Sequence, residues 1–445
     1  MTVHIPSTVR ACMDALENAG FATYLGGGCV RDAYLGLPPH DFDLCTAALP
    51  EQTEAVFSHR KLVLAGKKHG TVGVITEDGV VEITTFRTEG GYEDSRHPQW
   101  VNFVTDIEAD LSRRDFTIGA MAYSPTRGFA DPFGGRSDLD RRILRAVGDP
   151  AARFEEDALR ILRGIRFAAR FRLTVEKATH EAMIALAPRL NNIARERVFE
   201  ELCRFLLWAK TEDLLTFAPI LAAAIPELAP TIGFDQHSPH HAYDIFTHTA
   251  HVTAAVPADL PLRWAALLHD VGKPATFTTD ETGRGHFYTH AKIGAELADR
   301  ILRGLKAPTR LREEAVFLIA NHMTKLEPEK KLLRRRLSRF GTDTTRKLLL
   351  LQEADMGSKG TGKPEEMAQF DVIRALLAEI EAENSCLSIK DLAIDGKALQ
   401  QAGFAPGPKM GHCLTQLLER VLDEQLVNED AALLEAAKTI WGELP

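Results

Sequence analysis

Short β-branched runs mark the first third of the chain. KLVLAG from Lys61, GTVGVIT from Gly70 and GVVEITTF from Gly79 stand between Gly/Pro punctuation, with a few helical stretches among them. Such runs predict an α+β region with a small sheet up to about Val147. From Ala151 onward the period changes: in FEEDALRILRGIRFAARF, ERVFEELCRFLLWA and LRWAALLHD, apolar residues recur every three or four positions. No strand run of comparable quality returns, so the remainder is expected to be helical. The loop GSKGTGKPEE from Gly357 separates the helical middle from a helical tail. The expected organisation is a small-sheet head over 1–147, a helical neck over 148–210, a helical body over 211–356, and a linker with helical tail over 357–445.

Composition narrows the class. The 445 residues are 45% hydrophobic and 26% charged, as in an ordinary soluble protein. Six cysteines without a CxxC pair argue against a disulfide framework or a zinc knot and suit a reducing cytoplasm, the expected location. The N-terminus shows no signal-peptide pattern, and the most apolar stretch, LLTFAPILAAAI from Leu214, is too short for a membrane span and contains Pro219, so no membrane association is expected. The net charge of −9 is unevenly spread: Arg113 to Arg172 holds thirteen arginines against eight acids. A polarised surface of this kind steers a polyanion even when the mean charge is negative. A second basic block, LEPEKKLLRRRLSRF, reads equally as a solvated helix face with local ion pairs.

Gly357 to Lys363 nearly spells a phosphate loop, but Pro364 occupies the position where Ser or Thr must ligate magnesium, and KLLLLQEADM before it is helical rather than a strand. It is read as a linker.

The stretch YLGGGCVRDAYLGLPPHDFDL, Tyr24 to Leu44, carries chemistry of its own. Asp41 and Asp43 are two apart, so on a strand they share a face with Cα atoms roughly 6.5–7 Å apart. Two such carboxylates suit a pair of hard cations about 3.5–4 Å apart, the arrangement for in-line phosphoryl displacement. Glu82, an acid in the apolar run VVEITTF, is the candidate third ligand, since a buried acid needs a partner. A DxD pair alone is more often two solvated loop acids. Gly27 and Gly28, at an expected strand-to-helix turn, let phosphate oxygens approach backbone N–H groups, and Arg31 adds a charge-assisted donor.

GGGCVRD followed by HDFDL closely resembles the head motif of the class II tRNA nucleotidyltransferase and bacterial poly(A) polymerase family, a branch of the polymerase-beta-like nucleotidyltransferases. VEITTFR, YEDSRHP, RRDFTIGAMA, EEDALRILRGIRFAARF and ERVFEEL continue the resemblance in order. It implies Asp41 and Asp43 as magnesium ligands, Glu82 as the third carboxylate, Gly27, Gly28 and Arg31 near a triphosphate, and Arg114 and Asp115 near the ribose. Gly119 stands where the family usually carries Asn, which leaves the local helix less rigid.

Asp157 and Arg160 are three apart on a predicted helix and are expected to share a face. A carboxylate acceptor beside a guanidinium donor matches the amino donor and ring-nitrogen acceptor of cytosine and adenine. Guanine and uracil would leave polar groups opposed. This agrees with the selection of CTP and ATP without a nucleic-acid template that the resemblance implies, and leaves Arg163 for phosphate. Alone, the segment would read as a helix with local ion pairs. GKKHGTVGV and the YEDSRHP loop are similar to the CCA-adding branch. An enzyme adding only A, or a poly(A) polymerase, is the alternative.

FTHTAHV, WAALLHDVGKP, YTHAKIGAE, ANHM and LQEADM resemble an HD domain. By position, His248, His269, Asp270 and Asp355 match its mononuclear metal set, and His290 and His322 complete a second site. Imidazole and carboxylate suit nickel, manganese, iron or zinc. His237, His240 and His241 read as loop residues, with His251 a lesser candidate. Three functions follow: a metal-dependent nucleotidyltransferase acting on tRNA with CTP and ATP, an HD phosphohydrolase acting on RNA 3′ ends, and a non-catalytic RNA binder. The clustered acids disfavour the last.

Overall fold

The computed structural model describes residues 3–39, 41–92, 98–239, 241–361, 364–383 and 385–443. The YEDSRHP loop at 93–97, His40, His240 and the decoy's Gly362 and Lys363 lie outside the described residues. The chain divides into two compact units, Met1–Ala229 with Gly304–Lys306, and Pro230–Arg303 with Ala307–Pro445.

In the first unit the strands are β1 (Thr23–Gly26), β2 (Leu44–Thr46), β3 (Leu62–Val63), β4 (Thr71–Thr76), β5 (Gly79–Thr85), β6 (Arg87–Tyr92), β7 (Pro98–Phe103), β8 (Ala122–Ser124) and β9 (Gly128–Ala130). Seven of them form one sheet in the order β3-β4-β5-β2-β1-β8-β9, and β6 pairs with β7 in a separate hairpin. Within the large sheet β2 and β5 run parallel, with Leu44 opposite Ile83, while the other pairs are antiparallel. The pleat decides what each face carries: Val81, Ile83 and Thr85 are buried while Val80 and Glu82 are exposed. The expectation that Glu82 sits in an apolar setting is therefore corrected. Its neighbours in sequence point to the other face, and its carboxylate is open to solvent.

Leu159–Phe171 is a strongly amphipathic helix that packs with Arg195–Leu206. Gly164 is required where it crosses Phe116, because a Cβ there would lie 2.9 Å from the ring. Phe116 meets Phe167 edge-on at 6.0 Å and Phe154 at 6.3 Å, which ties the RRDFT segment to the helices beyond it.

Asp157 and Arg160 do not share one helical face. The helix Pro150–Glu156 stops at Asp157, which is extended at φ −145° and ψ 102°, and a new helix runs Leu159–Phe171. Asp157 Oδ1 accepts the Leu159 amide at 2.9 Å, so its side chain caps the second helix instead of continuing the first.

The second unit is helical apart from a two-residue strand pair, Thr278–Thr279 with Gly285–His286, and the first unit holds a similar pair, Ile143–Leu144 with Thr174–Val175. Both are too short for an alternation to register in sequence. The basic block folds as the helix Lys330–Phe340, and its charges are locally paired: Arg335 to Asp423 at 2.6 Å, Arg334 to Glu383 at 3.0 Å and to Glu424, and Lys330 to Glu383. It is an ion-paired helix face. The helix Thr342–Gly357 covers the residues before the decoy loop, where a phosphate loop would require a strand. Among the described residues, no helix is long and apolar enough to cross a membrane.

Candidate active site and histidine–aspartate cluster

The parallel register places Asp43, one residue before Leu44, beside Glu82, one residue before Ile83. On its other side the Asp43 carbonyl accepts the Gly26 amide at 3.1 Å, so the end of β1 lies alongside. Asp41 and Asp43 thus stand on the segment leading into β2, not within the strand. Asp41, Asp43 and Glu82 line one cavity of about 660 Å³ together with Asp78. Desolvation pushes the Asp43 carboxyl above its ordinary value, the Glu82 and Asp41 carboxylates push it the same way, and Arg114 opposes them. All-oxygen donors that repel one another in an open cavity are a donor set that fits a hard divalent cation. Their oxygens do not all come within 4.8 Å of one another.

A second cavity of about 500 Å³ is lined by Gly27, Gly28, Arg31, Arg114, Asp115, Gly119, Asp157, Arg160 and Arg163. All the nucleotide-binding candidates are therefore in one place. Gly27 has φ +71°, and a Cβ on it would lie 2.4 Å from Arg114 Nη1. Its own N–H donates to the Met121 carbonyl at 3.0 Å, so what this glycine supplies is room for the Arg114 guanidinium. Arg114 is held by Gly119 O at 3.3 Å and by Asp110 Oδ2 at 3.5 Å. Arg31 bonds Asp32 at 2.8 Å and lies over Phe171, 4.4 Å from the ring centre.

Arg160 is fixed at both amino groups, by Arg153 O at 3.1 Å and Glu156 at 2.7 Å on one and by Arg113 O at 3.1 Å on the other. Asp157 Oδ2 meets Arg197 at 3.3 Å. Arg163 bonds Asp115 through Nε at 2.7 Å, so the charge expected to be left for phosphate is shared with a carboxylate. Burial raises the Asp115 carboxyl, but Arg163 and then Arg160 outweigh it and the net shift is downward.

Several residues of this pocket escaped sequence reasoning. Arg113, Arg166 and Arg197 line the cavity, and behind them Asp110, 1% exposed, accepts from Arg113 and from the Arg87 amide. Arg197 lies inside ERVFEEL, so only its arginine-to-aspartate reach across forty residues was hidden.

In the second unit, His248, His269 and Asp270 have ligand atoms within 4.8 Å of one another, as do Asp270, His290 and His322. His248 Nε2 is 3.0 Å from Asp355 Oδ1 and 3.8 Å from Asp270 Oδ2, while His269 Nε2 is 3.2 Å from Asp270 Oδ2. Asp270 Oδ1 faces His290 Nε2 at 3.6 Å. The Nδ1 atoms of His269, His290 and His322 each meet the carbonyl three residues back, at 2.8, 2.8 and 2.7 Å, which leaves every Nε2 turned inward. His269 Nε2 lies 3.2 Å from Asp270 Oδ2, which also pairs with Lys273. Buried imidazole nitrogens converging on a carboxylate at such spacing fit a transition metal. Burial holds His322 down at about 4.

Lys273 and His241 were not assigned here from sequence. Lys273 Nζ is 2.8 Å from Asp270 and 2.8 Å from Gln236 Oε1. His241, in its loop, lines a cavity of about 250 Å³ with Lys273, Asp270 and His290, 5.2 Å from the His248 ring, and burial pushes it down to about 3. His251 instead stacks on Tyr243 at 4.8 Å, and His237 is exposed.

Comparison with known proteins places the chain. The Poly A polymerase head domain family matches residues 23–145, and tRNA nucleotidyltransferase domain 2 matches residues 275–437. The CCA-adding enzyme of Streptococcus gordonii is 34% identical over 442 residues, 96% of this chain and 97% of its own. That of Streptococcus thermophilus is 31% identical over 435 residues, 97% of each chain. Among solved structures, the CCA-adding enzyme of Bacillus stearothermophilus in complex with CTP superposes with a TM-score of 0.70 at 27% identity, covering 99% of this chain and all of that one. With its sheet, its paired pockets and this full-length likeness, the chain belongs to the family of CCA-adding tRNA nucleotidyltransferases.

Proposed function

We propose that this protein adds C, C and A to the 3′ end of tRNA from CTP and ATP, choosing each nucleotide with protein side chains. The observation that carries the reading is the fixed placement of Asp157 and Arg160 in the cavity that also holds Gly27, Gly28 and Arg31. A cap bond anchors the Asp157 carboxylate as an acceptor, and three hydrogen bonds hold Arg160 as a donor. Two rigid groups of that polarity accept the edges of cytosine and adenine and oppose those of guanine and uracil.

Asp41, Asp43 and Glu82 would hold magnesium, which when bound activates the attacking hydroxyl and neutralises the departing pyrophosphate. Gly27, Gly28 and Arg31 orient the triphosphate, and Arg114 and Asp115 border the ribose. Full CCA addition is favoured over A-only addition and over poly(A) synthesis by relatives named CCA-adding enzymes across nearly the whole chain. The test supplies a tRNA ending at its discriminator base. Growth by two with CTP, and by three with CTP and ATP, supports the reading. One A added only to tRNA already ending in CC, or long A tails, would replace it.

A second reading concerns the histidine–aspartate cluster. The convergence of His248, His269, His290 and His322 on Asp270 favours an HD-type site that holds nickel, manganese, iron or zinc and hydrolyses phosphate esters at RNA 3′ ends. Metal analysis after dialysis against each ion, for the protein and for His269→Ala, checks it. Stoichiometric metal in the first and loss in the second is expected. No retained metal sinks the reading. We also propose that the functional parts follow the boundaries 1–147, 148–210, 211–356 and 357–445.

A further inference from the structure

Asp110 lies on the helix Ile107–Ser112, three and four residues before Arg113 and Arg114, so one turn brings both guanidinium groups to its carboxylate. It stands behind the nucleotide cavity rather than in it. A carboxylate so deeply buried is costly unless its lone pairs are taken up, and here the two oxygens take separate partners. Oδ1 accepts the Arg87 amide at 3.1 Å, Arg113 Nε at 3.1 Å and Arg113 Nη2 at 2.9 Å. Oδ2 accepts Arg114 Nη2 at 3.5 Å.

Arg114 has little else to hold it. Its Nη1 meets the Gly119 carbonyl at 3.3 Å, and its Nε is buried with no hydrogen-bond partner among the described residues. The slot that it fills is cut by glycine: a Cβ on Gly26 would stand 3.0 Å from Nη2, and one on Gly27 2.4 Å from Nη1. Gly26 also donates to the Asp43 carbonyl, so the guanidinium lies between the metal-binding carboxylates and the nucleotide cavity. Arg113 serves the same wall through its backbone, since its carbonyl accepts Arg160 Nη2 at 3.1 Å.

We propose that Asp110 is a positioning residue for the sugar of the incoming nucleotide. Through Oδ2 it holds Arg114 in the glycine slot, where a fixed guanidinium presents a donor to the ribose 2′-hydroxyl. A deoxynucleotide lacks the hydroxyl that such a donor meets, and a site built to bond it refuses the analogue. Without Asp110 only the Gly119 carbonyl remains, and the guanidinium can follow either sugar. This inference rests on the reading of Arg114 as a residue that borders the ribose.

Asparagine at position 110 separates this role from folding. Its amide oxygen replaces Oδ1, with the Arg87 and Arg113 donors enforcing that orientation, and its NH2 group then opposes Arg114 where Oδ2 accepted it. The test uses the full chain, magnesium and tRNA ending at the discriminator base, and reads kcat and KM for CTP and for dCTP. Asp110→Asn is expected to lower the preference for CTP over dCTP about ten-fold, the scale of one charge-assisted hydrogen bond, with KM for tRNA unchanged. This ratio does not depend on how much of the variant is folded. Arg114→Ala should lower the preference at least as far, and the double variant no further than Arg114→Ala, because both act through one guanidinium. Effects that add would overturn the proposal. So would equal losses with both sugars in Asp110→Asn, the signature of a merely structural carboxylate, or a parent that uses CTP and dCTP alike. A parent that extends no tRNA removes the nucleotidyltransferase reading itself, and the inference with it.

Discussion

Arg163 donates through Nε to Asp115 Oδ2 at 2.7 Å and so joins the helix Leu159–Phe171 to the RRDFT motif 48 residues earlier. The same carboxylate accepts the Phe116 amide at 2.9 Å through its other oxygen. Both charged groups line the same cavity, so the pair sets the spacing between the helix that carries Arg160 and the RRDFT segment.

The sign of the Asp115 shift fixes a pH dependence. Its folded-state value lies below the ordinary one because Arg163 and Arg160 outweigh burial. The stabilisation is therefore complete above the unfolded carboxylate value near 4 and lost as pH falls through the lower folded value. Asp115→Asn is expected to be less stable than the parent at pH 7, by about 1 kcal/mol given the partial exposure of Arg163. Below pH 4 the two should converge in urea unfolding. A constant difference across that range would mean that the aspartate acts through packing alone.

Asp157 has two duties that one substitution separates. Its Oδ1 caps the helix at Leu159 and its carboxylate is the proposed acceptor for the base. Asparagine keeps an oxygen for the cap but adds an amide donor at the base edge. Asp157→Asn keeps the cap and loses the ion pair to Arg197, so it should give up at most about 1 kcal/mol of stability yet accept UTP and GTP that the parent refuses. Asp157→Ala should lose selectivity and also about 0.5–2 kcal/mol of stability. Incorporation of each of the four nucleotides, set beside thermal unfolding, tells the two apart. Retained selectivity in Asp157→Asn would remove Asp157 from base recognition.

The break at Asp157 shows where sequence reading stops. EEDALRIL carries helical periodicity on both sides and has no Pro or Gly, so nothing local marks the end of one helix and the start of the next. β3, β4 and β5 were legible from their β-branched runs, but the parallel pairing of β2 with β5 was not, because a register between distant segments leaves no local pattern. Glu82 was found for the wrong reason. Apolar neighbours suggested burial, while Val80, 53% exposed, shares its open face. The histidine cluster was legible because each of its residues sits in a recognisable short frame. Lys273 and His241 were missed because a lysine and a loop histidine carry no spacing that points inward.

Gly119 offers a test of local rigidity. It lies in the short 3₁₀ segment Thr117–Gly119, has no left-handed φ, and a Cβ there would meet Asp115 Oδ1 at 3.5 Å, an ordinary contact. Nothing in its backbone requires glycine. Gly119→Ala should raise stability by about 0.4–1 kcal/mol by restricting the unfolded chain. A loss of stability in chemical denaturation would show that the segment needs a conformation closed to alanine.

Asp43 is expected to trade stability for function. Its carboxyl is held above the ordinary value by desolvation first, then by Glu82 and Asp41. A carboxylate with a raised folded value works against folding at neutral pH, and the penalty fades as pH falls and the group protonates. Asp43→Asn removes that charge from a cavity where three other acids, Asp41, Asp78 and Glu82, remain. Without magnesium, the variant should melt at a higher temperature than the parent at pH 7, and the gap should close toward pH 4. With magnesium, the order should narrow or reverse, because a cation stabilises the parent by binding only its folded form. Nucleotide addition should fall by a factor of about a thousand or more, the scale lost when a charge-stabilising group at a reacting centre is removed. Higher stability with lost activity is what a metal ligand predicts. Unchanged melting with and without magnesium would place Asp43 outside the metal site, whatever the activity did.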